Sequence, residues 1–260
     1  MADKLALVTG ASSGIGYWLA RELANRGYDL VVCSAGERLK DATETFEDLG
    51  VSITGVTADL STRDGIDDLW AAVSALGRPL DVACINAGIG VGGLFTETDL
   101  DTELKMVHLN CVGVVHLAKH VVRQMTDRNQ GRILITSSIA GEMVAPREAV
   151  YAATKAFDLS FAHSLRYELR DTGVSVTALQ PGPTDTDFFH RAGMDNTKTG
   201  QEGKHESQPE EVAKQGLDAL FAGHDHVYAA SLKTKIEGAV ANFVPGSVKG
   251  AMHEKMAKPQ

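Results

Sequence analysis

In the stretch REAVYAATKAF, Arg147 to Phe157, a tyrosine and a lysine stand four residues apart. That spacing puts the Tyr151 phenol and the Lys155 ammonium on one face of a helix. A free phenol titrates near pKa ~10 and is a poor base at neutral pH, but a neighbouring ammonium favours the phenolate. Such a pair could exchange a proton with a substrate oxygen. It could equally be a surface tyrosine beside a surface lysine, and the spacing alone does not choose. A second candidate is the glycine-rich run TGASSGIG, which places Gly10, Gly14 and Gly16 between a strand-like run and a helical one. Glycines there let the backbone approach a pyrophosphate, and the helix N-terminus supplies N–H groups and the positive end of a dipole. The spacing is GxxxGxG, one residue different from the common dinucleotide fingerprint.

These residues acquire positions from the elements around them. Strand-length apolar runs (KLALVTG, YDLVVCSA, SITGVTADL, LDVACINAG, GRILITSSIAG and VSVTALQPG) alternate with helical patterns. The helices are expected at Gly16 to Arg26, Arg38 to Leu49, Ile66 to Ala75, Leu100 to Met125, Ala149 to Asp171 and Pro209 to Phe221, with a short strand at His226 to Ala229. Strands apolar on both faces, each followed by a helix, predict an α/β fold: a single-domain, Rossmann-like, doubly wound parallel sheet of about seven strands. In such sheets ligands bind outside the carboxyl ends of the strands. That rule singles out Asp59 after the third strand, Asn86 and Gly88 after the fourth, and Ser138 after the fifth. Asp59 has a plainer reading as a helix cap, a role open also to Ser61 or Thr62. Residues 1–185 are expected to form the core and 186–208 a lid over the substrate. Residues 209–260 would add a helix, a strand and a mildly amphipathic tail packed against the body or a partner subunit.

The bulk numbers exclude more than they select. A net charge of −9 disfavours binding to nucleic acid or to an anionic membrane surface. The three cysteines, Cys33, Cys84 and Cys111, form no CxxC and read as buried apolar residues of a reducing compartment. The N-terminus shows no signal peptide, and no apolar run approaches the length of a membrane span, so a soluble, cytoplasmic protein is expected. His116 and His120 lie one turn apart and His224 and His226 flank Asp225, but neither pair has an HExxH motif or a third ligand in sequence. No metal is assigned.

Taken together, TGASSGIG, NAG, Ser138 in ITSSIAG, the YxxxK pair and PGPTDT resemble, in order and separation, the motifs of the short-chain dehydrogenase/reductase family. The likeness is close from about Lys4 to Thr186 and looser beyond. It implies hydride transfer between NAD(P)(H) and a secondary alcohol or a ketone or aldehyde, with Asn110, Ser138, Tyr151 and Lys155 as the catalytic set. Tyr151 would be the general acid/base. Lys155 would lower its pKa and bond the nicotinamide ribose, and Ser138 would hold the substrate oxygen. Asn110 would hold a relay water, although a buried helix asparagine bonding backbone would look the same in sequence. The resemblance places the cofactor against Gly10, Ser12, Ser13, Gly14, Ile15, Gly16, Ser34, Arg38, Asp59, Leu60, Asn86, Ala87 and Gly88. It would also touch Asn110, Tyr151, Lys155, Pro181, Gly182, Thr184 and Thr186.

Cofactor choice rests on the end of the second strand, where a carboxylate would bond the NAD ribose and an arginine the extra phosphate of NADP. Ser34-Ala35 carry neither charge; Ser34 leaves room for a phosphate, Arg38 could reach it, and Glu37 counts the other way. NADP is therefore favoured over NAD. Ser138, Tyr151, Met143, Val144, Phe188 and Phe189, with Met194, suggest a mostly apolar site for a small to medium carbonyl or alcohol. The C-terminal region lacks the glycine-rich tail that many family members use to form tetramers, which leaves a homodimer through the long helices beside the homotetramer. A non-catalytic nucleotide-binding scaffold or redox sensor is the rival reading, and the complete catalytic set argues against it. A nucleotide-sugar epimerase or dehydratase fits poorly, because the chain has no room for a large substrate domain.

Overall fold

The computed structural model describes residues 4–194, 196–198, 201, 207–229 and 246–258. Seven strands form one sheet: β1 (Lys4–Thr9), β2 (Tyr28–Ser34), β3 (Ile53–Thr57), β4 (Val82–Ile85), β5 (Gly131–Thr136), β6 (Val174–Pro181) and β7 (His226–Ala229). Their order is β3-β2-β1-β4-β5-β6-β7, and every neighbouring pair is parallel. The order reverses between β1 and β4, so a crevice opens at their carboxyl ends.

The central strands are buried on both faces, as their continuous Val, Leu, Ile and Ala runs require. One face is covered by α1 (Gly14–Asn25), α2 (Arg38–Glu44) and α8 (Pro209–Ala222), through Leu19, Leu23, Leu39, Leu217 and Leu220. The other is covered by α3 (Arg63–Ala75), α5 (Val114–Asp127) and α6 (Ala149–Glu168), through Leu69, Leu117, Val121 and Ala162. Cys33 and Cys84 sit inside these layers, and burial pushes the Cys33 thiol up to about 12. No helix among the described residues is long and apolar enough to cross a membrane.

Departures from the sequence reading have local causes. The pattern at Arg38 to Leu49 breaks after Glu44 into a separate 3₁₀ turn, Glu47–Leu49. There the Thr43 and Thr45 hydroxyls donate to the carbonyls of Lys40 and Ala42, competing with the helical ladder. Helix α3 starts at Arg63 rather than Ile66, because the Thr62 side chain caps the Gly65 N–H. Helix α6 ends three residues before Asp171, at Glu168. The expected helix from Leu100 is α4 (Leu100–Val107), then one π-helical turn (His108–Gly113), then α5. The expected lid contains a short helix, α7 (Phe188–Arg191), and the chain also holds α9 (Gly246–Ala257). Residues 195, 199–200 and 202–206 of that lid, and 230–245 of the expected tail, lie outside the described residues.

Candidate active site

A cleft of about 640 Å³ lies over the carboxyl ends of β1, β4 and β5. Its floor is the glycine turn. Gly14 adopts φ +57°, open to glycine and strained for other residues. A Cβ on Gly16 would run into the Gly10 carbonyl oxygen and lie 2.6 Å from Asn86 Nδ2. Ser13 occupies the N-cap of α1 without a side-chain capping bond, so its hydroxyl leaves the first-turn N–H groups open, and none of them has a side-chain acceptor among the described residues. Three glycines that permit close approach, at an uncapped helix N-terminus, fit the pyrophosphate of a dinucleotide.

The reacting end is built where β5 meets α6. Ser138 caps a 3₁₀ turn, Ile139–Glu142, accepting from the Ala140 N–H at 3.2 Å. Tyr151, in the first turn of α6, and Lys155 one turn later both line the cleft with Ser138. Lys155 Nζ donates to the Thr136 carbonyl and to Asp158 Oδ2, both at 2.9 Å. The phenol of Tyr151 is raised above its ordinary value. Burial is the main cause, and Glu148 and Asp158 push the same way against Lys155 and a hydrogen bond with Ser138. Lys155 thus acts on Tyr151 in the expected direction, but burial outweighs it. Burial also works against the Lys155 ammonium, which is raised nonetheless because Asp158 stabilises it.

Asn110 is fully buried in the π-helical turn, one layer behind the cleft. Its amide bonds Ile89 in both directions, accepting from N–H at 3.0 Å and donating to C=O at 2.9 Å, and donates to Thr154 Oγ1. The two bonds to Ile89 are with backbone, as in the plainer reading of Asn110, and the third is with a side-chain hydroxyl. Asn110 still adjoins the reacting end: a Cβ on Gly88 would lie 3.2 Å from Asn110 Oδ1 and 3.4 Å from Lys155 Nζ. Asn86 is likewise committed to the scaffold, bonding Thr9 on β1 and Thr136 on β5.

At the opposite end, Ser34 shares a 2.9 Å hydrogen bond with Ser12. Asp59 accepts from Ser61 and pairs with Lys105 at 3.1 Å, while Thr62 takes the capping role. The short helix α7 bridges the mouth. Asp187 joins Arg38 at 2.7 Å and Arg191 at 3.2 Å, and Arg191 reaches Ser13 Oγ. Phe188 packs against the Tyr151 ring, 5.2 Å between centroids.

The cleft is lined by every residue expected at the cofactor except Arg38 and Asn110, and by every residue expected at the substrate except Val144. Val144 is an exposed side chain of the loop before α6, beside Gly250 of α9, and unlike the others expected at the substrate it is not part of the lining. Met194, expected with the apolar wall, packs against Gly92 and is not part of the lining. Arg38 stands at the mouth, held by Asp187. The sequence reading missed Glu148 and His253, a buried pair 2.8 Å apart in the cleft wall, with Met256 beside it. No local signal could have joined two residues 105 positions apart. It also missed Asp67, which brings a carboxylate 3.2 Å from His116 and 3.9 Å from His120. The third group absent from the local sequence therefore comes from α3, and Trp70 stacks on His120 beside it.

Comparison with known proteins points the same way. Residues 4–197 match the profile of the short chain dehydrogenase family. A putative ketoacyl reductase of Streptomyces coelicolor is 36% identical over 187 residues, covering 71% of this chain and 72% of the relative. A short-chain dehydrogenase from Sphingobium yanoikuyae, in complex with NADPH, superposes with a TM-score of 0.80 at 27% identity, covering 86% and 87% of the two chains. A variant of actinorhodin polyketide ketoreductase with NADPH superposes with a TM-score of 0.78 at 31% identity, covering 88% of this chain and 97% of the other.

Proposed function

Because the chain belongs to the short-chain dehydrogenase/reductase family, oxidoreductases that act on CH–OH groups with NAD(P), we propose that it reduces a small to medium, largely apolar ketone or aldehyde with NADPH. The observation that carries this reading is the meeting of Ser138, Tyr151 and Lys155 in one cleft with an uncapped glycine turn. The nicotinamide cofactor, when bound, supplies the hydride. Tyr151 delivers the proton to the carbonyl oxygen and recovers it in the reverse direction. Ser138 donates a hydrogen bond to that oxygen as charge develops on it. Lys155 holds a positive charge beside the phenol, and Asn110 braces the loop after β4 against α6 through Ile89 and Thr154.

NADPH is favoured over NADH by the absence of a carboxylate at the end of β2, where Ser34 faces the cleft, and by Arg38 at the mouth. The NADPH complexes among similar structures support the same choice. The apolar side chains Ile89, Met143, Phe188, Phe189 and Met256 support an apolar substrate. Exposed Leu104 and Val112, with Phe157 stacked on Phe161 of α6, support a homodimer through these helices.

A panel of ketones and aldehydes, followed by NADPH consumption, tests the activity. Tyr151→Phe should lose about 10²–10⁴-fold in kcat, the usual contribution of general acid–base catalysis, while binding NADPH unchanged. Near-native turnover in that variant would refute the role given to Tyr151.

A further inference from the structure

Asp158 belongs to none of the four residues expected to act, yet it is the charge in contact with Lys155. It stands three residues beyond the lysine on α6, is 0% exposed, and accepts from Nζ at 2.9 Å. Its other oxygen, Oδ1, is buried and has no partner among the described residues. The turn of α6 beyond it is apolar, with Ala162 in the core and Leu159 packed against it. A carboxylate there is costly unless it is paired, and an apolar residue would pack at least as well. Lys155 Nζ is gripped from two sides, by Asp158 and by the Thr136 carbonyl that ends β5.

We propose that Asp158 is a positioning residue of the proton-handling unit: it fixes Lys155 beside Tyr151 and balances the ammonium charge, so that the unit keeps its proton for delivery to a carbonyl oxygen. This rests on the reductase reading above. With Asp158 ionised, phenol, ammonium and carboxylate sum to zero, and losing a proton leaves a buried net negative charge. Without the carboxylate the same loss leaves a neutral pair, which is easier. The sign holds whichever of the two coupled groups releases the proton. When Tyr151 protonates the carbonyl oxygen, the unit is left one proton short and regains it from solvent. The other groups facing it are accounted for. Glu148, ahead of α6, acts on Tyr151 in the same sense as Asp158 and is itself paired with His253 of α9. Cys111 of the π-helical turn faces Lys155, and the Ser138 hydroxyl bonds the phenol.

The test compares native protein with Asp158→Asn, Asp158→Leu and Asp158→Glu in two measurements. One is the pH profile of alcohol oxidation, which needs the deprotonated unit. The other is an NMR titration of ring-labelled tyrosine and side-chain-labelled lysine in the cofactor-free protein, with Tyr151→Phe for assignment. In either neutral variant the acid limb and the first titration step should move to lower pH. Oxidation at a fixed pH on that limb should then rise on the order of tenfold, the scale of one close charge. Asp158→Glu should keep the native profile. The leucine variant, apolar in an apolar layer, serves if the asparagine variant does not fold. Profiles and titrations that superimpose on native, or move to higher pH, would overturn the proposal and leave Asp158 a structural residue. A titration step that moves as expected in a protein with no turnover on any carbonyl would uphold the pair and refute the reductase reading.

Discussion

At the scale of single residues, Tyr151 is defined by competing fields. Burial, Glu148 and Asp158 favour the phenol, Lys155 favours the phenolate, and the phenol prevails. A folded value above the ordinary phenol range means that the acid form survives through neutral pH and is lost only as pH rises through the raised value. Carbonyl reduction should therefore hold level across neutral pH and fall on the alkaline side, whereas alcohol oxidation should climb with pH. Parallel pH profiles of kcat/KM in the two directions check this; oxidation that peaks in acid would contradict it. The sequence could supply the types and spacing of Tyr151 and Lys155 but not the balance, which depends on burial and on a carboxylate whose role only contact distances show.

At the scale of elements, two connections control the cofactor end. The glycine turn works because α1 lies against β1 and the loop after β4, leaving no room for a side chain at Gly16. Gly16→Ala should destabilise the fold by about 1–3 kcal/mol, the usual cost of overpacking, and weaken cofactor binding with it. Thermal melts and NADPH titration read both, and a variant that matches native in each would remove the argument. The second connection is the ion pair from Arg38 to Asp187 across the cleft mouth. Both side chains are more than half exposed, so the pair is worth at most about 1 kcal/mol. Asp187→Ala should free Arg38 and tighten NADPH binding by no more than about fivefold, leaving NADH unchanged. An equal change for both cofactors would show that Arg38 does not read the extra phosphate. Alternation of strands and helices was legible in the sequence because each element carries its own periodicity. The π-helical turn was not, since HLNCVG follows the same apolar pattern as the helices on either side.

At the scale of the whole molecule, a parallel sheet covered on both faces leaves few apolar side chains outside. Among those that remain, Leu104, Val112 and Phe157 lie on α4, the π-helical turn and α6. If two copies pair there, Val112→Glu combined with Phe157→Glu should yield a monomer in sedimentation velocity experiments, because two desolvated carboxylates per subunit oppose the interface. A native protein that already sediments as a monomer, or a variant still dimeric, would rule that face out.

The sequence by itself determined the fold class, because strand–helix alternation repeats along the chain; it offered the glycine turn, Ser138, Tyr151 and Lys155 as candidates beside strand ends, and Asn110 through the family resemblance alone. Tertiary structure alone decided which of them share one surface. It set Asn110 behind the cleft, left Val144 out of the lining and tied Arg38 to Asp187. It also brought Glu148 to His253 and Asp67 to His116, whereas Asp158 stands beside Lys155 through the i, i+3 spacing of one helix. The reason is physical: local periodicity encodes which face of an element is apolar. The partner of a buried group such as Glu148 is set by how distant elements pack.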